Sequence, residues 1–307
     1  MAQYLASRLL QAIVTTFGVM TIVFFVMRLT GDPVLLLVPE GATREHIEAL
    51  RHELGFDQPV WRQYLVFLQG LMRLELGTSV VQRMPAWDIL ASRLPYTMAL
   101  AAAALVVAIG IGVPAGLAMA IWRGRWFERP IAAMVVTGQS MPTFLSGILL
   151  IMLFAVRLRW LPSSGVDGPQ SVILPAFALG MLSMSTFARM ARIAVVDELS
   201  KDYVRAGLAR GLSLGKVVAR HVLRNAAIPV VTIAALEIGN LLAGAIIVET
   251  VFAWPGVGQL AVQSIQSRDF LVVQAIVLFV SIVYVAVNFA TDLAYAAIDP
   301  RIRFADQ

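Results

Sequence analysis

The chain has 307 residues, 59% of them hydrophobic and 14% charged, with a mean hydropathy of +0.80, a composition that suits an integral membrane protein and not a soluble surface. It has no Cys, and its His residues stand only at 46, 52 and 221, which excludes a disulfide framework, a cysteine nucleophile and a thiolate zinc site and leaves little material for any metal. The formal net charge of +5 is segmental, with long uncharged stretches between the basic ones, so no nucleic-acid partner is expected.

In chain order, the first predicted element is a spanning helix over 9–27. These 19 residues between Arg8 and Arg28 carry no charge, and at about 1.5 Å per residue they cover the bilayer core of about 30 Å. The stretch is longer than the apolar region of a cleaved leader and ends Met27-Arg28-Leu29-Thr30 rather than in a small-x-small site, so a retained helix is expected. Residues 30–93 form one long outer excursion with eight acids against six bases. Within it, Thr43 can cap a helix with Glu45 in the first turn, Ile47, Leu50 and Leu54 on one stripe and Gly55 at its end. After Pro59, the positions Val60, Tyr64, Phe67, Leu68 and Leu71 repeat at helical spacing. Both helices are expected to cap the bundle or lie on the membrane surface, without chemistry of their own.

Five further spans follow, over 94–122, 130–156, 168–188, 225–248 and 270–291, with Glu237 the one interruption of 225–248. Six spans put both termini on one side. Counting Lys and Arg in the short loops with the N-terminus inside gives fourteen inner against three outer, so the expected topology is N-in, C-in. The expected organisation is a first helix within 1–29, the outer segment 30–93, a core of five helices over 94–296 that includes an inner loop 189–224, and a tail over 297–307. Small and bending residues recur in the spans: Gly110, Gly112, Pro114 and Gly116, then Gly138, Pro142 and Gly147, then Gly239 and Gly244. Such residues let helices pack closely and let them kink.

Charges at membrane depth are scarce. Glu237 either lines a path or makes an interhelical hydrogen bond, and the sequence leaves both open. Glu249 and Asp292 stand at span ends, within expected reach of water, with Glu249 in outer-mouth structure. So sparse a set argues against a proton-relaying carrier and for an energy source outside the chain. Gly211-x-x-x-Gly215-Lys216-Val217 is no phosphate-binding loop, because it has three residues between the glycines instead of four and no Ser or Thr after the Lys. No paired carboxylates, G-x-S-x-G or H-E-x-x-H occur. No catalysis, cofactor or metal is expected of this chain.

The inner loop is the informative segment. Helix–helix connections usually take about 2 to 8 residues, whereas some 35 separate Arg189 from Asn225. Gly211 is placed to break one short helix and Ser213 to cap a second that runs through Val217, Val218 and Val222.

The start Asp202-Tyr203-x-Arg205, then Gly211, and then His221-x-Leu223-Arg224-Asn225 with Ile228-Pro229 resemble the cytoplasmic loop of membrane subunits in ATP-binding cassette importers, in their dipeptide/oligopeptide permease version. Matching pieces occur in the family's order along nearly the whole chain: Gly31-Asp32-Pro33, Leu54-Gly55-x-Asp57-Gln58-Pro59, Leu76-Gly77-x-Ser79, Ser140-x-Pro142, Leu161-Pro162, Ile173-Leu174-Pro175, Glu249-x-x-Phe252-x-Trp254-Pro255-Gly256-x-Gly258 and Asp299-Pro300-Arg301-Ile302-Arg303. Two departures stand out, Arg205-Ala206-Gly207 in place of the wider superfamily's Glu-Ala-Ala and Arg224 in place of its Pro.

The resemblance implies an all-α membrane protein with the type I importer permease fold and six transmembrane helices, in a bacterial inner membrane. It implies that the inner loop docks on a separate ATPase through Asp202, Tyr203, Arg205, Ala206, Gly207, Gly211 and Leu214. Gln139, Ser140, Met141, Phe144 and Glu237 are candidates for lining the path. The implied partners are a second related permease chain, two ATPase subunits or domains that bind ATP and Mg, an extracytoplasmic solute-binding protein and membrane lipid. Di- or oligopeptides are the implied substrate, with nickel chelates, glutathione or another small solute as alternatives. A stand-alone secondary carrier or channel is the competing class.

Overall fold

The computed structural model describes residues 2–29, 34, 38, 42–53, 55–73, 77–79 and 81–298. They form twelve α-helices: α1 (Ala2–Leu29), α2 (Arg44–Glu53), α3 (Val60–Met72), α4 (Ala86–Ile121), α5 (Glu128–Ser140), α6 (Thr143–Leu150), α7 (Ile173–Leu199), α8 (Asp202–Ala209), α9 (Leu214–Val217), α10 (Leu223–Val251), α11 (Val257–Gln266) and α12 (Phe270–Ile298). Among the described residues, extended pairing is confined to an isolated bridge between Thr78 and Pro85. Four helices are long and apolar enough to cross a membrane, at Ala86–Ile121, Pro169–Leu199, Leu214–Val251 and Phe270–Val287. A fifth crossing is available if Glu128–Ser140 and Thr143–Arg157 count together. In α1 the described apolar stretch is the shorter Ile13–Val26. Each predicted span thus overlies a helix or a helix pair. The motif pieces Gly31-Asp32-Pro33, Leu54, Leu76 and Asp299-Pro300-Arg301-Ile302-Arg303, and the side chain of Asp292, lie outside the described residues.

The expected continuous third span is instead a pair of helices bent by 110°. Pro142 supplies no N–H to continue the α5 ladder and drives the residue before it out of the helical region, and Met141 is extended at φ −89°, ψ 122°. Beyond α6 the chain widens into a π-helical turn over Ile151–Arg157. Several helices also overrun the edges read from charge. α7 carries Arg189, Arg192, Asp197 and Glu198 inside its regular run to Leu199, because charged residues mark where lipid ends and do not interrupt i→i−4 bonding in water.

The chain divides into two compact units, residues 1–95 with 259–307, and residues 96–258. In the first, α1 packs on α12. The fully buried Phe24 of α1 meets Tyr64 and Phe67 of α3 at ring-centroid distances of 5.1 and 5.2 Å, and the Thr21 and Tyr64 hydroxyls lie 2.6 Å apart. Thr43 caps α2 by accepting the His46 N–H at 3.4 Å, and Gly55 at φ +71° follows the helix, as their residue types predict.

In the second unit α7 is the central element, with α5, α6 and α10 packed around it. α4 approaches α7 backbone to backbone. A Cβ on Gly112 would lie 2.5 Å from Met184 O, one on Gly180 would lie 2.7 Å from Ala104 O, and one on Gly116 would fall inside the radius of Ala188 O. Small residues at these crossings are therefore a steric requirement.

Candidate functional site

The connection between the membrane helices is shorter than charge spacing suggests. α7 continues to Leu199 and the helical path into α10 starts at Leu214, so α8 is the one helix presented by residues 200–213. Lys201 turns the chain at φ −74°, ψ 152°, α8 follows, and Gly211 at φ +83° takes the left-handed conformation that costs other residues about 1–2 kcal/mol. Ser213 occupies the N-cap position of α9, but its side chain makes no capping bond. Its main-chain carbonyl accepts the Val217 N–H at 3.1 Å instead, so the expected side-chain cap is absent.

Two inward contacts fix α8. The first is apolar: Val204, Val217 and Val222 are buried with Ala120, Val195 and Ala226, which joins α8 to α4, α7 and α10. Gly207 contributes by having no side chain, since a Cβ there would sit 3.3 Å from Val217 Cγ2. The second is polar and centred on Glu198, near the end of α7. Its carboxylate accepts the Tyr203 hydroxyl at 2.5 Å and Asn225 Nδ2 at 3.2 Å, and it pairs with Lys201 Nζ. The Glu198 bond raises the Lys201 ammonium above the ordinary lysine range, while burial, then the bond to Glu198, raises the Tyr203 hydroxyl.

The seven residues assigned to coupling separate by face. Tyr203 and Gly207 are half-buried and hold the helix in place, whereas Asp202, Arg205, Ala206, Gly211 and Leu214 are exposed. Asp202 and Arg205 make only a loose pair at 3.6 Å. Leu208, Leu212 and Leu214 are 43%, 40% and 46% exposed. Leu208 on α8 and Leu212 in the turn after it are thus bare apolar side chains on either side of the exposed Arg210.

The path candidates divide as well. Gln139 and Ser140 are exposed at the end of α5, Met141 is the extended residue of the bend, and Phe144 is exposed in the first turn of α6. The Ser140 hydroxyl donates back to Val136 O at 3.0 Å. Glu237 on α10 is buried, accepts the Ser183 hydroxyl of α7 at 2.6 Å and lies 3.5 Å from Asn240 Nδ2. The Ser183 bond joins α7 to α10, the Asn240 contact stays within α10, and neither runs to the bend.

Three polar centres were not read from the sequence as such. Glu198 stands in the sequence beside Asp197 with no motif to mark it. Glu249, expected within reach of water, is fully buried. Its carboxylate accepts the Thr97 hydroxyl and the Gly258 N–H, each at 2.7 Å. Thr97 Oγ1 in turn accepts the Val257 N–H at 2.8 Å, and Trp254 Nε1 donates to Tyr96 O at 2.9 Å. A Cβ on Gly256 would fall on that carboxylate, so the glycines after Trp254-Pro255 are what let the turn close around Glu249. The third centre is Asp269, which is buried, accepts the Ser79 hydroxyl and has no hydrogen-bond partner at Oδ1 among the described residues. A lone Asp beside Arg268 carries no sequence signal for this pairing across 190 positions.

Comparison with known proteins fits this arrangement. Residues 112–304 match the family described as binding-protein-dependent transport system inner membrane component, and residues 1–101 match the N-terminal region of such membrane components. The chain is 43% identical over 305 residues to the glutathione transport system permease protein GsiC of Escherichia coli strain CFT073, covering 99% of this chain and 100% of that one. The same figures hold for GsiC of Shigella dysenteriae serotype 1. Among solved structures, the inward-facing MetNI methionine ABC transporter aligns with a TM-score of 0.58 at 20% identity, over 69% of this chain and 97% of that one. An amino acid ABC transporter aligns with a TM-score of 0.51 at 15% identity, over 68% and 94%. The fold is that of importer permeases, and the chain belongs to the family of binding-protein-dependent transport system inner membrane components, as a permease subunit of an ATP-binding cassette importer.

Proposed function

We propose that this chain supplies half of an inner-membrane path for glutathione or a short peptide of similar size, and that α8 is the element moved by ATP-hydrolysing partners. The substrate reading rests on the 43% identity to glutathione permease proteins from end to end. Glutathione is a tripeptide and falls within the peptide class. The coupling reading rests on α8: its inner face is tied by Glu198 and a valine cluster to three membrane helices, so a push on its exposed face is transmitted to α4, α7 and α10 together. A second related permease chain completes the path, two ATPase subunits or domains bind ATP and Mg, and an extracytoplasmic binding protein delivers the solute. Gln139, Ser140, Met141 and Phe144 line the path at the bend. Both termini lie inside.

The test is uptake by proteoliposomes holding the chain with its cognate partners, offered labelled glutathione, a dipeptide and a nickel chelate. Glutathione or peptide uptake that requires both ATP and the binding protein is the expected result. Uptake driven by an ion gradient with no ATPase present overturns the coupling reading, and ATP-driven uptake of the nickel chelate alone overturns the substrate.

A further inference from the structure

The turn between α4 and α5 presents three arginines and three aromatic rings. Trp122, Arg123, Arg125, Trp126, Phe127 and Arg129 are all exposed, Trp126 by 71%. Trp126 and Phe127 stack at 3.8 Å, and Phe127 lies 5.5 Å from Trp122. Bare rings at the end of a membrane-length helix suit the headgroup layer, where an indole keeps its body in apolar surroundings and its N–H in polar ones.

The turn is built, not loose. Gly124 adopts φ +77°, the Arg125 N–H bonds to Trp122 O at 2.9 Å, and the Glu128 N–H bonds to Arg125 O at 3.1 Å. One Glu128 oxygen accepts the Gly124 N–H at 2.7 Å. The other accepts Arg192 of α7 through Nη2 at 2.5 Å and Nε at 3.2 Å.

That clamp also decides the charge of the patch. The one acid in the turn is neutralised by Arg192, and among the described residues no acid lies within ion-pair distance of Arg123, Arg125 or Arg129. Three unpaired guanidinium groups within residues 123–129 complement phosphate, which they bind in bidentate fashion. Apolar surface continues from Arg129 along α5 to Val136, which stands two turns on along the same side of the helix and is 59% exposed. A ligand with an anionic head and an apolar tail matches both halves, whereas inorganic phosphate would leave the rings and the α5 face uncovered.

We propose that the α4–α5 turn is a binding site for anionic phospholipid, with Arg123, Arg125 and Arg129 on the phosphate and Trp122, Trp126 and Phe127 seated in the interfacial layer. The intact transporter, purified in detergent, is titrated with phosphatidylglycerol and separately with phosphatidylethanolamine, and bound lipid is counted by native mass spectrometry. Wild type should prefer phosphatidylglycerol and lose that preference as ionic strength shortens the screening length. The R123Q/R125Q/R129Q variant should bind it on the order of a hundredfold more weakly, R123K/R125K/R129K should keep part of the binding, and R157Q/R159Q should match wild type. No preference for the anionic lipid in wild type overturns the proposal even if the triple variant fails to fold. So does a folded triple variant that keeps its phosphatidylglycerol, and shedding of the ATPase subunits without loss of lipid would assign the patch to a protein contact instead.

Discussion

At the scale of single residues, three buried or half-buried carboxylates do different work because of what faces them. Glu198 receives donors from two other helices and therefore joins elements. Replacing Tyr203 by Phe removes one of those donors at a cost of about 1 kcal/mol, which corresponds to a roughly fivefold rise in local opening of α8. Faster tryptic cleavage at Lys201, Arg205 and Arg210 in inverted vesicles is the expected readout, with expression unchanged; a cleavage rate equal to wild type would show that the hydroxyl does not hold the helix. Glu249 serves its own turn, and the turn leaves no room beside it. Gly256→Ala must place a methyl group on the carboxylate, so the Thr97 and Gly258 bonds have to break. A loss of several kcal/mol follows from stranding buried polar groups, read as a clearly lowered thermal midpoint of the purified transporter, while Gly110→Ala, with nothing within 4 Å, should leave the midpoint unchanged. Glu237 shares the joining role of Glu198 on a smaller scale, since it accepts Ser183 and ties α7 to α10.

At the scale of elements, local chemistry was legible wherever a residue acts on its own backbone. Thr43, Gly55 and Gly211 do what their types dictate, and the α2 and α3 boundaries fall close to their predicted places. What failed were inferences that treated charge as a helix boundary or proline as a mild kink. The charges after Ala188 end a hydropathy window without ending α7, and Pro142 turns one expected span into two helices at 110°. Contacts between distant positions, such as Ser79 with Asp269 or Glu128 with Arg192, left no trace in periodicity because each member is an ordinary polar residue in its own stretch. Gly211 tests the coupling element directly. Gly211→Ala forces a methyl into a left-handed position at about 1–2 kcal/mol and should slow ATP-dependent uptake severalfold. Gly211→Glu adds bulk and charge to the exposed face and should abolish both uptake and stimulation of ATP hydrolysis. Membrane insertion, followed by protease protection, should be normal in both, and undiminished uptake by Gly211→Glu would sever α8 from energy transfer.

At the scale of the whole molecule, the sidedness of every loop depends on how the bent pair α5–α6 meets the bilayer. If the pair crosses once, the turn at 122–127 and the loop at 158–168 lie on opposite sides, and the arginine count places the first inside. If it enters and leaves by one face, both lie together and the parity of all later helices is reversed. Charge alone favours the single crossing, since Arg123, Arg125 and Arg129 flank one end of the pair and only Arg157 and Arg159 the other, in keeping with basic residues concentrated in inner loops. The absence of Cys from the chain makes the decision accessible without any background labelling. Single substitutions Arg123→Cys, Ser163→Cys and Ser213→Cys each place a thiol at an exposed position, to be treated with a membrane-impermeant maleimide in intact cells and in inverted vesicles. A single crossing requires that Ser163→Cys react in intact cells, and that Arg123→Cys and Ser213→Cys react only in inverted vesicles. Reaction of Arg123→Cys and Ser163→Cys from the same side would make the pair a re-entrant loop and would move α8 away from the compartment that holds ATP.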